Sequence, residues 1–384
     1  MNPAGKPIVM LVGPMPPTKG GVTTFMMNLM ASPLSREFEF VPFNIARPPK
    51  KNVAENWGYR AVLRGGVGRI LWGALVTFWH LLKFPFAVVA GRIDLVQVQA
   101  SDYQVFWEAA LYAGMARILR RPVLFRIGGA FDIFHGEAST IERRLIAAVI
   151  RRPDVVIAQS RFASDYIRSA GRTGEIVLLP NWMHEVDSAS PPRPPAARPT
   201  CLFIAGQEAR RKGIEEVLGA AEQLKACGCD VEFQMVAVPP FLKKRIDDLG
   251  IAGAIRMEGP VEHHHLLTLM QRCEIFLLPS HGEGFPNSLV EAMAAGMACV
   301  ATPVGAVPEM GAEGGLLIVP VGNVSALADA ISQLVASAEL RNRLGVQARQ
   351  TVCAHYVASV ALPKLAQTYW KLLLPADQTS VAPH

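Results

Sequence analysis

The chain has 384 residues, 51% hydrophobic and 18% charged, a length and composition that exclude a disordered chain and favour two domains over one core. Its net charge of +6 is uneven: residues 1–187 carry 22 Lys and Arg against 14 Asp and Glu, and residues 188–384 carry 16 against 18. The six cysteines all follow residue 200, and the nearest approach to a metal spacing is Cys227-Gly228-Cys229, which excludes a disulfide framework and a paired CxxC zinc site. Free thiols in a reducing cytoplasm are the expectation. The basic half is expected to face an anionic partner, such as a membrane surface or a lipid-phosphate acceptor. Nucleic acid is not expected, because no recognition motif of that class and no basic-aromatic interleaving occur.

Met1–Pro7 is polar, and the apolar run that follows is too short for a secretory core, so no signal peptide is expected. Ile8–Val12, Leu95–Gln99, Val123–Ile127, Val155–Ala158 and Glu175–Leu179 read as buried parallel strands, with a helix over Thr23–Met30. Ile70–Ala90 is a 21-residue apolar stretch with Trp72 and Trp79, interrupted by His80, Lys83 and Pro85 and flanked by Arg64, Arg69 and Arg92. A span there would tear the sheet that continues at Leu95, so a buried crossover helix or an interfacial helix is expected instead. The stretch 188–199 holds five prolines in twelve residues and reads as an extended linker. Beyond it, Cys201–Ala205, Val231–Val236, Ile255–Glu258, Glu274–Leu278, Ala298–Thr302 and Leu316–Val319 read as strands. Ser325–Leu334, Leu340–Val352 and Tyr356–Leu374 have helical spacing. Strands alternating with helices on both sides of the linker argue two doubly wound α/β units.

The chemistry concentrates in His281-Gly282-Glu283-Gly284-Phe285-Pro286-Asn287-Ser288-Leu289-Val290-Glu291, where a strand gives way to a Gly/Pro loop and then a helix, with Asn287 or Ser288 available as N-cap. A helix N-terminus after a glycine loop is an anion site. Glu283 and Glu291 add acceptors that can grip vicinal hydroxyls. Phosphate and sugar together describe a nucleotide sugar. Two glutamates at that spacing occur often by chance, so the flanking sequence has to decide. That sequence, EGFPNSLVEAMAAGMACVATPVGAVPEM, resembles the GT4 family of glycosyltransferases, which have the GT-B fold of two Rossmann-like domains facing across a cleft. The resemblance spans most of the chain and is densest from Gly206 to Val321.

The resemblance implies roles residue by residue. Glu291 falls on the glutamate that holds the nucleotide ribose, and Glu283 on the one that contacts the donor sugar. Gly284, Phe285, Asn287 and Ser288 are donor-binding candidates through the loop and helix start. Gly206-Gln207-Glu208-Ala209-Arg210-Arg211-Lys212-Gly213 resembles the family's G-R-x4-K-G segment. Lys212 matches the lysine that neutralises the pyrophosphate, while Gln207 stands where arginine is usual, a loss that Arg210 or Arg211 would cover. Gly20 and Gly21 resemble the N-terminal glycine loop near the donor phosphate. Ile127 stands where the family often has histidine, which leaves Arg126, Gly128, Gly129 and Asp132 as acceptor-side candidates, with His135 weaker. Pro180-Asn181-Trp182-Met183 reads as a structural turn. Pro303-Val304-Gly305-Ala306-Val307-Pro308-Glu309 fits the family's loop after the penultimate strand, with Gly305 and Glu309 as candidate lining. His263-His264-His265 is no metal site, because consecutive helical residues point about 100° apart.

The expected organisation is an acceptor-side domain at 1–187, a linker at 188–199, a nucleotide-sugar-binding domain at 200–355, and a final helix and tail at 356–384 that cross back to the first domain. The expected function is retaining transfer of a sugar from a UDP- or GDP-sugar to a glycan or lipid-linked acceptor, with no cofactor and no metal. Its expected setting is cell-surface polysaccharide synthesis, in the cytoplasm or at the inner membrane face. A sugar-nucleotide epimerase or hydrolase, and a non-catalytic nucleotide-sugar-binding protein, are the alternatives.

Overall fold

The structure, a computed structural model, describes residues 5–18, 20–46, 67–186 and 198–374. Nearly all of the proline-rich stretch, and Arg64, lie outside the described residues. Two compact units form: residues 1–182 with 358–384, and residues 183–357. The division falls at Trp182, five residues before the composition break suggested. The reason is that Trp182 packs edge-on to Phe25 at 4.9 Å, whereas Met183 pairs with Val357.

The first unit has strands β1 (Ile8–Gly13), β2 (Glu39–Asn44), β3 (Leu95–Ala100), β4 (Val123–Ile127), β5 (Val155–Ala158) and β6 (Glu175–Leu178). They form one parallel sheet in the order β2-β1-β3-β4-β5-β6. β1, β3, β4 and β5 are buried on both faces, as continuous apolar runs in a covered parallel sheet should be. β2 escaped the sequence reading. It is an edge strand of sequence EFVPFN, paired on one side only, and edges tolerate Pro42.

The final helix, Ala358–Leu373, belongs to this unit. Leu362, Leu365 and Tyr369 pack with Leu11, Phe38 and Leu124, and the Tyr369 hydroxyl donates to Gln97 Oε1 at 2.5 Å.

The helix Val67–Ala90 covers the other face of the sheet, but only in part. Phe84 and Val88 are fully buried, with Phe84 5.2 Å from Tyr112. Leu71, Trp72, Leu75, Phe78, Trp79, Leu82, Phe86 and Val89 are exposed. This rules out the buried crossover reading. Leu71–Ala90 is long and apolar enough to cross a membrane by length and composition.

The second unit has β7 (Thr200–Ile204), β8 (Glu232–Val236), β9 (Ile255–Glu258), β10 (Ile275–Leu278), β11 (Ala298–Ala301) and β12 (Leu316–Ile318) in the order β12-β11-β10-β7-β8-β9, again all parallel. The direction of winding reverses between β7 and β10. The loops leaving their carboxyl ends run apart from a shared point, which is where such sheets bind ligands.

Candidate active site

The segment after β7 and the segment after β10 meet at that reversal. Gly206, with φ +67°, opens a short turn that also holds Gln207, and Lys212-Gly213 then leads into the helix Ile214–Ala226. Gly213, at φ +86°, lies so close to the other segment that a Cβ there would sit 2.1 Å from the Pro279 carbonyl oxygen. His281 N–H donates to the Arg211 carbonyl at 2.8 Å. The two backbones are thereby clamped side by side, and their side chains converge on Glu283.

Lys212 Nζ donates to Glu283 Oε1 at 2.6 Å, and Ser280 Oγ donates to the same oxygen at 2.8 Å. Arg211 Nη1 lies 3.6 Å from Glu283 Oε2 and also donates to the Gly282 carbonyl. Arg211 is shared, because its Nε donates to Glu208 Oε2 at 2.9 Å. Arg210 is exposed, so Arg211 supplies the second cation beside Lys212. Glu283 is 7% exposed. Burial on its own would raise the carboxyl. The charges of Lys212 and Arg211, then hydrogen bonds from Lys212 and Ser280, outweigh it and hold the group below its ordinary value.

The loop after β11 braces this arrangement. Thr302 Oγ1 donates to the Ser280 carbonyl at 2.5 Å, and Ala306 N–H donates to the Gly284 carbonyl at 3.0 Å. Gly305 has φ +54°, and a Cβ there would lie 2.2 Å from the Glu283 carbonyl oxygen. Gly305 is thus a support for the Glu283 backbone.

The helix Asn287–Ala294 starts one residue earlier than expected. Pro286 is its N-cap, no side chain caps that end, and Asn287 is its first residue. The first turn of the helix, with its unpaired backbone N–H groups and the positive end of its dipole, thus begins at Asn287, directly after the loop that holds Glu283. Phe285 is buried and packs edge-on to Tyr356 at 5.6 Å, which fixes the loop that leads into the helix. Glu291 lies one turn in. Its Oε1 is 3.0 Å from His263 Nε2, with side-chain exposures of 14% for Glu291 and 62% for His263. His265 instead meets Glu258 Oε1 at 2.8 Å, so the histidines diverge. The Glu291 bond raises His263 above its ordinary value against the smaller effect of burial.

The remaining candidates belong to the first unit. Gly20 caps the helix Gly21–Met30 after the β1 loop, and both glycines are exposed. Arg126, near the carboxyl end of β4, is 1% exposed, so its charge is not at the surface. It donates to Gln99 Oε1 at 3.4 Å and to Asn181 Oδ1, lies 3.8 Å over the Phe25 ring, and is lowered by burial to about 9. Ile127 is buried among apolar neighbours in the core. Gly128 N–H donates to the Ala100 carbonyl at 2.9 Å. Gly129, at φ +68°, abuts Ser101 and Asp102 so closely that a Cβ would sit 2.5 Å from Ser101 Oγ. Asp132 is half-buried, and burial raises its carboxyl against two backbone hydrogen bonds. Its carbonyl accepts from Tyr166 at 3.1 Å, and the same hydroxyl lies 3.2 Å from His135 Nδ1.

Reading the sequence missed Ser280, Thr302 and His263. Ser280, three residues before Glu283, was open to a local argument. Thr302 and His263 reach the site only through the fold.

Two doubly wound parallel sheets, with cations and carboxylates at a switch point, define the GT-B class. A family model described as Glycosyl transferases group 1 matches residues 189–351, and one described as Glycosyltransferase Family 4 matches residues 19–185. Between them the two models span most of the chain, which is similar to the glycosyltransferases that they describe. A phosphatidyl-myo-inositol mannosyltransferase of Mycobacterium leprae is 30% identical over 214 residues, covering 54% of this chain and 57% of that protein. The chain spans about half the length of the curated relatives it matches. In fold, it is similar to sucrose-phosphate synthase from Thermosynechococcus elongatus, with TM-score 0.74 and 17% identity over 96% of this chain and 99% of that one. Anabaena HepE, in a structure with UDP-glucose, gives TM-score 0.68 and 17% identity over 94% and 99%.

The Glu283 cluster makes a pH prediction. Its folded carboxyl is lowered, so its stabilisation is complete above the ordinary value of 4.5 and is lost as pH falls through the lower folded value. Lys212→Met removes the largest favourable charge. It should cost about 1–3 kcal/mol at neutral pH and move acid unfolding to higher pH. Denaturant titrations of both proteins from neutral to acid pH measure this. An unshifted acid limb in the variant would show that the pair carries no stability.

Proposed function

We propose that this chain is a retaining, metal-independent glycosyltransferase that moves a hexose from a nucleoside-diphosphate sugar to a glycan or lipid-linked acceptor. The observation that carries this is the convergence of Lys212, Arg211 and Glu283 at the β7/β10 switch point, in the loop that leads into the helix Asn287–Ala294, with Glu291 one turn further on. The cations and the helix end suit a diphosphate, and the carboxylates suit hydroxyls. HepE has been seen with UDP and with UDP-glucose, which supports the same donor class here.

The donor's bond from the anomeric carbon to the diphosphate breaks, and the nucleoside diphosphate leaves with the electron pair. Lys212 and the helix end oppose the charge that builds on its oxygens. The acceptor oxygen bonds to the anomeric carbon from the same face and passes its proton to the departing phosphate. Glu283 is occupied by Lys212 and Ser280, which makes it a stabiliser of developing positive charge rather than a nucleophile. With Lys212, Arg211 and the helix end supplying positive charge, the reaction needs no divalent cation.

The acceptor belongs to the first unit. That half of the sequence is basic, and its helix Val67–Ala90 exposes two tryptophans and two phenylalanines beside Lys83 and Arg92. Such a face seats in the headgroup layer of an anionic membrane. The Mycobacterium leprae relative is named for a lipid acceptor, and the proposed setting is the cytoplasmic membrane face, in cell-surface polysaccharide synthesis.

A thermal-shift panel of nucleotide sugars tests the donor. One of them, at about a hundredfold above its Kd, should raise the midpoint by about 5–10 °C, unchanged by EDTA and lost in Glu291→Ala. Loss of the shift in EDTA would refute metal independence. Donor consumption without any acceptor would favour a hydrolase. The membrane arm is tested by co-sedimentation with vesicles containing anionic lipid. Binding should fall about tenfold in Trp79→Glu/Phe86→Glu and at high salt. Equal binding by the variant would show that this helix does not seat the protein on the membrane.

A further inference from the structure

We propose that His263 is a positioning residue that sets Glu291 to read the 2′-hydroxyl of the donor nucleotide, and so makes the site choose ribonucleotides over deoxyribonucleotides. This rests on the reading of Glu291 as the ribose carboxylate.

Glu291 and Asn287 are four residues apart on one helix and share a face, so the carboxylate lies one turn from the helix end assigned to the diphosphate. A nucleoside 5′-diphosphate places its ribose diol next to its phosphates, which matches that spacing in kind. A free glutamate side chain has several rotamers, and only some present both oxygens to a diol. His263 comes from a second helix, His263–Arg272, which packs on the first. It bonds Oε1 from outside, at 3.0 Å, and covers a carboxylate that is itself mostly buried. A carboxylate offers about four acceptor sites on its two oxygens, so the histidine uses one and leaves Oε2 and one site of Oε1 for two hydroxyls. The sequence places three histidines in a row, but only His263 reaches Glu291; His265 is occupied by Glu258, and His264 is exposed. The raised affinity of His263 for its proton agrees with a standing bond to Glu291.

The test is calorimetric titration of the full chain with UDP, GDP and their 2′-deoxy analogues, in wild type, Glu291→Ala, His263→Ala and His263→Gln. His263 is exposed at a helix start, so its replacement leaves the fold intact. Wild type should bind one ribonucleotide on the order of tenfold more tightly than its deoxy analogue. His263→Ala should lose most of that ratio by weakening the ribonucleotide alone. His263→Gln, whose amide can donate to Oε1, should recover part of it. Glu291→Ala should abolish the ratio. If Glu291→Ala keeps it, or neither nucleotide binds, the ribose reading fails and this inference with it. If Glu291→Ala loses the ratio and His263→Ala keeps it, the ribose reading stands and the histidine's role is overturned. That role is also overturned if His263→Ala weakens both analogues equally, which marks a general structural effect, or if it tightens the ribonucleotide, which marks a ring that blocks the site.

Discussion

A lysine and a glutamate 71 positions apart meet at 2.6 Å at the carboxyl edge of the second sheet, and the site is organised around that bond. It forms because two glycines let three loops approach more closely than side chains would permit. Gly213 presses on Pro279, and Gly305 presses on Glu283 itself. A buried carboxylate is costly without partners, and here Lys212, Arg211 and Ser280 supply them. The same bond holds the lysine ammonium at the carboxyl edge of the sheet, beside the loop that leads into the helix Asn287–Ala294. A diphosphate arriving at the helix end would share that lysine and add negative charge where positive charge is already concentrated.

The two units solve a similar problem differently. In the second, cations meet carboxylates. In the first, Arg126 is buried at the carboxyl end of the sheet among the carboxamides of Gln99 and Asn181 and the face of Phe25, with Gln159 also bound to Asn181 at 3.0 Å. That network joins β3, β4 and the turns after β5 and β6, so Arg126 organises the edge from inside. Asn181 gives the Pro180–Met183 turn its structural purpose. The terminal helix closes the same face through Leu365 and Tyr369, which is why Ala358–Leu373 belongs to the first unit.

Much of this was legible in the sequence for physical reasons. Eleven of the twelve strands among the described residues lie where the sequence places them, most plainly those buried on both faces, which are continuous apolar runs; β6 and β9, less buried and partly charged, are legible through their place in the alternation of strands and helices. β2 was hidden because an edge strand needs neither alternation nor freedom from proline. Glu283, Glu291, Lys212 and Arg211 were singled out by the resemblance of their segments to those of the GT4 family, since a glycine loop before a helix does not by itself dictate which charged residues accompany it. Their partners were harder to see. His263 reads as a solvated helix start and acquires meaning only when a neighbouring helix brings Glu291 beneath it. The apolar stretch at 70–90 could be read as core or surface by composition, and only packing against Tyr112 on one side shows which face is left bare. The N-cap was misplaced because Asn and Ser are good caps, while Pro286 already holds the extended backbone that an N-cap adopts.

The most direct measurement is a crystal structure of the protein with bound UDP or GDP, whichever binds. The expected result places the diphosphate within hydrogen-bond reach of Lys212 and the first turn of Asn287–Ala294, and the ribose diol on Glu291. A nucleotide bound elsewhere, with Lys212 and Glu283 untouched, would contradict it.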